Sequence, residues 1–346
     1  VPPDITKGSD GADDPESWNE AYNSKGPETK VPGRAEQLSN NPGGLKKGTG
    51  SSQSFNVVEA DGDDLVHSDG KTAQKAVELL HKYKDMEKPF FLAVGFVRPH
   101  VPLVAPKKYF APYPLGKMAL PPKIPGDQDD IPQNSGNRRT TANYKMDLNQ
   151  QKGTLRAYYA SVSFVDALVG KILTALEATG QRDNTIVIFT SDHGYHLGEH
   201  DMWQKVSIHE ESAKVPLIIS VPGKKPAVCR SLSELIDLYP TVSQLCGLKI
   251  PGNIQGKDIS GMFDDPSVKV RDAALSSGKG RLLRTEKWAL LDYGKKGELY
   301  DMENDPKQYD NLFDQSEYAD TLAGLKAKLK AKLVEIGKND LNLNKL

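Results

Sequence analysis

The sequence predicts an α/β fold, a mostly parallel sheet flanked by helices, with a small α+β subdomain at its C-terminal end. Three observations carry this expectation. Residues 90–96, 185–190 and 215–221 are short apolar runs with little polar alternation, the pattern of strands covered on both faces. Segments of helical period stand between them, and strands alternating with helices favour parallel connections. The 346 residues exceed what one hydrophobic core usually organises. The expected division is an α/β domain over 1–250 and a smaller subdomain over 251–346.

The opening stretch, to about Asn56, is rich in Gly, Ser, Asn and Pro, as in Asn41-Pro42-Gly43-Gly44 and Gly48-Thr49-Gly50-Ser51-Ser52, and reads as loop. Domains seldom open on so long an irregular run, so this start resembles the interior of a longer chain. Ala73, Val77, Leu80 and Tyr83 then step at helical spacing, and Lys88-Pro89 stops that helix before the apolar run Phe90–Phe96. The Pro-rich region from Pro112 to about Gln150 reads as irregular surface. Next, Leu155, Tyr158, Val162, Val165, Val169, Ile172 and Leu176 repeat in steps of three and four, with Thr154 as N-cap and Gly180 at the C′ position. That helix should lie on a sheet. Thr185–Thr190 suits a central parallel strand and Val215–Val221 another. Ser231–Gly247 reads as a helix kinked at Pro240. Beyond Pro251, Leu282–Thr285 and Lys287–Tyr293 resemble paired strands. Tyr318–Lys338 closes the sequence as an amphipathic helix with Leu322, Leu325, Leu329, Leu333 and Ile336 on one face. Its lysines read as a solvated face rather than a polyanion site.

Composition excludes several classes. Lys+Arg 45 against Asp+Glu 46 leaves a net charge of -1, without general attraction to nucleic acid or anionic membrane. No run approaches the roughly 18 consecutive apolar residues of a membrane span, and Val1-Pro2-Pro3-Asp4 lacks the charged-then-apolar start of a signal peptide. Cys229 and Cys246 allow at most one disulfide and no multi-cysteine metal site.

Chemistry is expected beyond the carboxyl ends of strands. The run ending at Thr190 leads into Ser191-Asp192-His193-Gly194, and His193, His196, His200 and His209 crowd into this one segment. At a strand-to-loop bend Asp192 could offer a hard oxygen and His193 a nitrogen to one divalent cation, with Gly194 giving the freedom to turn. The plainer alternative is a turn-forming Asp beside an exposed His. His196–Lys205 reads as a polar loop broken by glycine, and no His-Glu-x-x-His order exists in it. Lys205 could hold an anionic oxygen as a point charge, or be a surface lysine. His100, in Val97-Arg98-Pro99-His100-Val101-Pro102, could donate to an ester oxygen or protonate a leaving group, or simply pack in a Pro-fixed loop.

These residues taken together resemble the sulfatase family, and within it the iduronate-2-sulfatase group and its bacterial relatives. The resemblance is carried by Pro89–Phe96 running into Arg98-Pro99-His100, by Phe189–Gly194 with Leu197-Gly198-Glu199-His200 and Trp203-Gln204-Lys205, and by Val215-Pro216-Leu217-Ile218. It extends to Tyr159–Ser163 with Asp166, to Asp237–Thr241, and to Glu298-Leu299-Tyr300-Asp301 with Asp305-Pro306. The resemblance implies an alkaline-phosphatase-like α/β domain and hydrolysis of sulfate esters on a sugar. It implies Asp192 and His193 as calcium ligands, and Lys205 and His100 as residues that contact the sulfate or assist the leaving oxygen. It also implies a periplasmic, extracellular or lysosomal setting, and a sulfated carbohydrate as partner.

The sequence departs from that family in one respect. The family's formylglycine arises from a Cys/Ser-x-Pro/Ala-x-Arg motif, and neither Cys229-Arg230-Ser231-Leu232-Ser233 nor Cys246-Gly247-Leu248-Lys249-Ile250 fits it. The family's Asp-Asp pair and Gly-Lys-x-x-His element also lack counterparts, since Asp13-Asp14, Asp63-Asp64 and Asp129-Asp130 fall in loops. The expectation is therefore a C-terminal portion of a sulfatase whose nucleophile lies upstream, inactive by itself. The alternatives are a phosphodiesterase or phosphatase of the same superfamily, and a non-catalytic glycan-binding remnant.

Overall fold

The computed structural model describes residues 13–39, 55–132, 140–205 and 207–337, so the loops expected at Asn41–Gly44 and Gly48–Ser52 lie outside the described residues. The chain divides into two compact units, Val1–Pro121 with Thr140–Thr185, and Pro122–Arg139 with Ile186–Leu346.

In the first unit β1 (Gly33–Gln37) and β2 (Asn56–Ala60) pair antiparallel, and β2 pairs in parallel with β3 (Leu103–Pro106). β1 thus falls inside the stretch expected to be loop. All five of its residues are exposed, so no apolar alternation announced it. α1 (Ser68–Tyr83) lies between β2 and β3 in sequence, and the short α2 (Thr141–Tyr144) precedes α3 (Leu148–Ala178). Val31, Val58, Ala60 and Val104 form a core on the sheet, and α3 packs on α1 and β3.

α3 begins about two turns before the expected start. Asp147, not Thr154, caps it, in a capping box with Gln150, while the Thr154 hydroxyl donates to the Gln150 carbonyl inside the helix. The buried stripe is also rotated: Leu155, Ala157, Ala160, Phe164, Leu168 and Leu176 are inside, whereas Val162 is exposed. Alanines let α1 and β3 approach closely, a choice that apolar spacing alone does not reveal. By length and mean hydropathy α3 is long and apolar enough to cross a bilayer, against the expectation from consecutive apolar residues. In this unit it serves as the helix on which α1 and β3 pack.

Phe90–Phe96, expected as a buried strand, joins no ladder among the described residues. Its side chains alternate between half-buried and exposed, and Phe91 is 75% exposed. An apolar run becomes a ladder strand only where a neighbour takes up its backbone groups.

The second unit holds β4 (Val187–Thr190), β5 (His196–Leu197), β6 (Trp203–Gln204), α4 (Glu210–Ala213), β7 (Leu217–Ser220) and α5 (Leu238–Leu245). β8 (Ala274–Ser277), β9 (Arg281–Arg284), β10 (Trp288–Asp292), β11 (Gly297–Asp301) and α6 (Ala319–Gly337) follow. The mixed helix-and-sheet class stands, and among the described residues the ladders are mostly antiparallel where a mostly parallel sheet is expected. β4 and β7, both expected to be parallel core strands, pair antiparallel and are only half-buried, and β2–β3 is the parallel ladder among the described residues. Periodicity reports burial on a strand's faces and carries no information on its neighbour's direction. α5 starts just before Pro240, where a missing N–H costs nothing, so the expected kink is absent.

The C-terminal elements follow the sequence closely. β8 to β11 form one antiparallel sheet in the order β11-β10-β9-β8. Leu325 and Leu329 of α6 bury against Leu283, Leu290, Leu299 and Phe313, with Leu322 and Leu333 packed alongside. The opposite face of the sheet buries Leu282, Ala289, Leu291, Tyr300 and Met302 with Ile208, a residue from the segment that carries the histidines.

Candidate functional site

β4 ends at Thr190 and releases Ser191–Gly194 at its carboxyl end, as expected. The Asp192 side chain is 82% exposed, and its Oδ2 lies 3.5 Å from His193 Nε2. Its Oδ1 accepts the His193 backbone N–H at 3.0 Å, and the Ser191 hydroxyl donates to the His193 carbonyl, which holds the bend. His193 Nδ1 is 2.8 Å from the Gly194 carbonyl. A carbonyl oxygen only accepts, so Nδ1 carries the hydrogen, and in the neutral ring Nε2 presents a lone pair toward the carboxylate. Two electron-rich atoms facing each other at this distance suit a shared cation, with the carbonyl as the outer partner that orients the ring. Among the described residues no group of three or more His, Cys, Asp and Glu side chains forms a complete metal site. Asp192 and His193 therefore offer two donors, a fraction of a calcium shell of roughly six to eight.

Gly194 serves here for close approach rather than for an unusual backbone angle. A Cβ at this position would sit 2.0 Å from the Glu211 carbonyl oxygen, and the Gly194 N–H donates to the Ser212 carbonyl at 2.8 Å. The segment after His193 is thus seated directly on α4.

The expected polar loop at His196–Lys205 is a tight hairpin with a buried inner face. β5 and β6 pair His196 with Gln204 and Leu197 with Trp203, and His196, His200, Trp203 and Gln204 are all buried. His200, Asp201 and Gln204 have positive φ angles of 53°, 53° and 71°. Non-glycine residues seldom occupy this region, and strain of this kind persists where the surroundings over-determine it. The region expected to be irregular surface supplies part of that hold. His200 Nδ1 lies 3.2 Å from both Asp127 carboxylate oxygens, the Gln128 amide donates to the His200 carbonyl, and Lys123 pairs with Asp201 at 2.9 Å. Lys205 follows β6 directly and is half-buried.

The histidine crowding resolves into two groups. His193 is at the surface, whereas His196, His200 and His209 are buried with ring centroids 6.2, 6.1 and 4.9 Å apart. His209 Nε2 is 2.8 Å from Glu298 Oε2, which also accepts the Tyr300 hydroxyl at 2.6 Å, and His209 Nδ1 is 2.6 Å from the Ser207 hydroxyl oxygen. Burial disfavours charge on His209, yet the Glu298 carboxylate, helped by Glu211 and Asp127, outweighs it and raises its pKa above the usual imidazole range. Burial pushes Glu298 up, and the His209 charge with hydrogen bonds from His209, Tyr300 and Tyr293 more than reverses this. His196 is held well below the usual range by burial and by its two histidine neighbours. The sequence shows the crowding of these histidines but not their carboxylate partners, because Asp127 and Glu298 lie 73 and 89 residues from them.

His100 belongs to the first unit. The Asp69 carboxylate accepts the backbone N–H groups of Val97 and Arg98 at 2.9 Å each, and buried Arg98 pairs with Glu28 and donates to the Val104 carbonyl. His100 Nδ1, 2.6 Å from the Val101 carbonyl, carries the hydrogen. Cys229 and Cys246 are exposed free thiols. Asp13 and Asp14 lie in an exposed turn where Asp14 accepts from Ser17, as their loop reading implied.

Comparison with known proteins matches residues 14–248 to the family model described as Sulfatase, and residues 198–335 to N-sulphoglucosamine sulphohydrolase, C-terminal. An arylsulfatase of Clostridium perfringens is 31% identical over 281 residues, covering 75% of this chain and 56% of that protein. The iduronate 2-sulfatase of Homo sapiens is 32% identical over 223 residues, covering 53% and 40%. Among solved structures, a phosphonate monoester hydrolase from Silicibacter pomeroyi superimposes with a TM-score of 0.71 at 21% identity, covering 82% of this chain and 64% of that one. The chain spans about half the length of the curated relatives it matches.

Proposed function

The chain belongs to the sulfatase family, and from that premise we propose that its protein is a calcium-dependent sulfuric ester hydrolase acting on a sulfated sugar or uronic acid. The observation that carries this reading is the exposed Asp192 carboxylate 3.5 Å from His193 Nε2, the nitrogen that is left without a hydrogen in the neutral ring. Calcium held there supplies positive charge that offsets the charge of the sulfate. Lys205 adds a compact cationic point for a sulfate oxygen, so that attack on sulfur is not repelled. His100, fixed through Nδ1, holds or moves a proton at Nε2 for the leaving oxygen. Neither cysteine carries the formylglycine motif. The reading therefore assigns the nucleophile and the remaining calcium ligands to parts of the protein beyond these residues, which leaves this chain inactive by itself. The sulfated uronic acid is suggested by the name of the iduronate 2-sulfatase relative, and a periplasmic, extracellular or lysosomal setting by where such sugars are processed.

The test is sulfate release from sulfated oligosaccharides by the full-length protein, with and without chelator. Asp192→Asn and His193→Ala are expected to lower turnover by about a hundredfold or more, and undiminished turnover in both would sink the site assignment. A second reading, hydrolysis of a phosphonate or phosphate ester on the same rim, is favoured by the likeness to the phosphonate monoester hydrolase. Aryl sulfate and aryl phosphonate offered to one preparation decide between them by relative kcat/KM.

A further inference from the structure

The buried histidine cluster supplies none of the residues assigned in the proposed function, yet within the second unit its connections lead to three of them. Four observations define the path, all within the second unit. Ile208 is a full member of the core on β9, β10 and β11. His209, its neighbour, forms the buried pair with Glu298 of β11, and Glu210 is held by a backbone bond to Gln308 and by Arg284 of β9. On one side of this anchored segment, the Ser212 carbonyl takes the Gly194 N–H, and glycine is needed there because the Glu211 carbonyl occupies the Cβ position. On the other side, Lys205 stands three residues before Ile208, directly after Gln204 with its strained positive φ.

We propose that the His209–Glu298 pair positions the site, fixing segment 207–212 on the C-terminal sheet so that Asp192 and His193 on one flank and Lys205 on the other keep their places. This deepens the sulfatase reading and rests on it for the roles of the three positioned residues. His209 and Glu298 touch no substrate in this arrangement and are positioning residues. The groups that face the pair are His196 of β5, His200, Asp127 and Asp130 on the hairpin side, Glu211 of α4, and Tyr293 and Tyr300 from the sheet. With one net proton shared between His209 and Glu298, the bond is a charge-assisted one in a dry setting, stronger than a neutral contact. His209 has a raised pKa in the folded protein, so the pair is intact below the ordinary histidine range and is lost as pH rises through the raised value.

The experiment uses the full-length protein, and compares wild type with Glu298→Gln and the milder Tyr300→Phe, which removes a single hydrogen bond to Glu298. Amide hydrogen exchange is followed across residues 192–205 and in β8, and turnover of p-nitrophenyl sulfate is measured on the same samples. Loss of the charged partner is expected to speed exchange across 192–205 by at least about tenfold, with β8 little changed. Tyr300→Phe gives a smaller shift in the same direction. In wild type the exchange of 192–205, corrected for intrinsic rates, is expected to rise on the alkaline side, and this rise is absent in His209→Gln. On the sulfate ester, KM rises and kcat falls in the folded variants beyond any loss of folded fraction. Unchanged exchange across 192–205 in folded Glu298→Gln or Tyr300→Phe overturns the proposal. A wild type inactive on the sulfate ester sinks the sulfatase reading alone, and the exchange comparison still decides the positioning claim.

Discussion

Two histidine-bearing sites lie within one short stretch and have opposite physics. At Asp192–His193 the carboxylate is 82% exposed and lies 3.5 Å from an imidazole nitrogen. At His209–Glu298 both side chains are within 2% of complete burial, and the carboxylate also accepts a tyrosine hydroxyl. A largely exposed pair contributes little to folding and is accessible to a cation. A buried, matched pair resists loss of either member, because the partner left behind is an uncompensated charge. Residue type alone does not separate these cases, and burial together with hydrogen-bond completion does.

The contrast is broken most strongly by Glu298→Gln, expected to cost roughly 3–5 kcal/mol of stability by stranding His209, read from urea unfolding of the full-length protein. Asp192→Asn is expected to leave the unfolding midpoint where it is. The reverse holds for chemistry, where Asp192→Asn is expected to lower kcat on a sulfate ester by about a hundredfold or more. A shift of the urea midpoint by Asp192→Asn as large as that of Glu298→Gln would erase the distinction.

A finer test is pH. His196 has a depressed pKa in the folded protein, so the unfolded chain takes up its proton first, and stability falls as pH drops below the ordinary value of 6.5. His209 has a raised one, so its contribution is complete below 6.5 and disappears as pH climbs through the folded value. Glu298 contributes above 4.5 and is lost only as pH falls through its lowered value. Urea midpoints between acid and alkaline pH should therefore fall off on both sides of a maximum near or above 6.5. His196→Phe should flatten the acid limb, whose slope is bounded by about 1.4 kcal/mol per pH unit for one proton. An acid limb of undiminished slope in that variant would show that the loss arises elsewhere. The smallest effect is expected from Lys123→Met, which breaks a largely exposed pair with Asp201 worth about 0.2–1 kcal/mol. High salt should remove the difference from wild type, and a salt-independent loss would mean that the 122–132 segment grips the hairpin through packing instead.

Legibility in the sequence followed the range of the forces involved. α1, the β9–β10 hairpin and the apolar face of α6 were readable because their residues meet neighbours close in sequence or bury one continuous face. The start of α3 was misread because Asp147 and Gln150 precede the apolar stripe, although the capping-box pattern was present for the taking. Phe90–Phe96, β4 and β7 were recognised as apolar runs, but their pairing and direction depend on neighbours far away in the chain. In the candidate site, the Asp192-His193 dipeptide was visible, and so was the crowding of histidines. The hold of Asp127 on His200 and of Glu298 on His209 was not, because those carboxylates come from a Pro-rich stretch and from a C-terminal strand with no local mark of their purpose.

By itself the sequence determined the family, the mixed α/β class and which side chains, an Asp and a His, follow the end of β4. These rest on residue type and on short spacing, which the chain carries wherever it folds. Tertiary structure decided which histidines are wet and which are dry, why Gly194 must lack a side chain, and how the C-terminal sheet grips the segment between Lys205 and α4. Burial, desolvation and close approach are properties of neighbours in space, and they alone turn one run of similar residues into a site and its support.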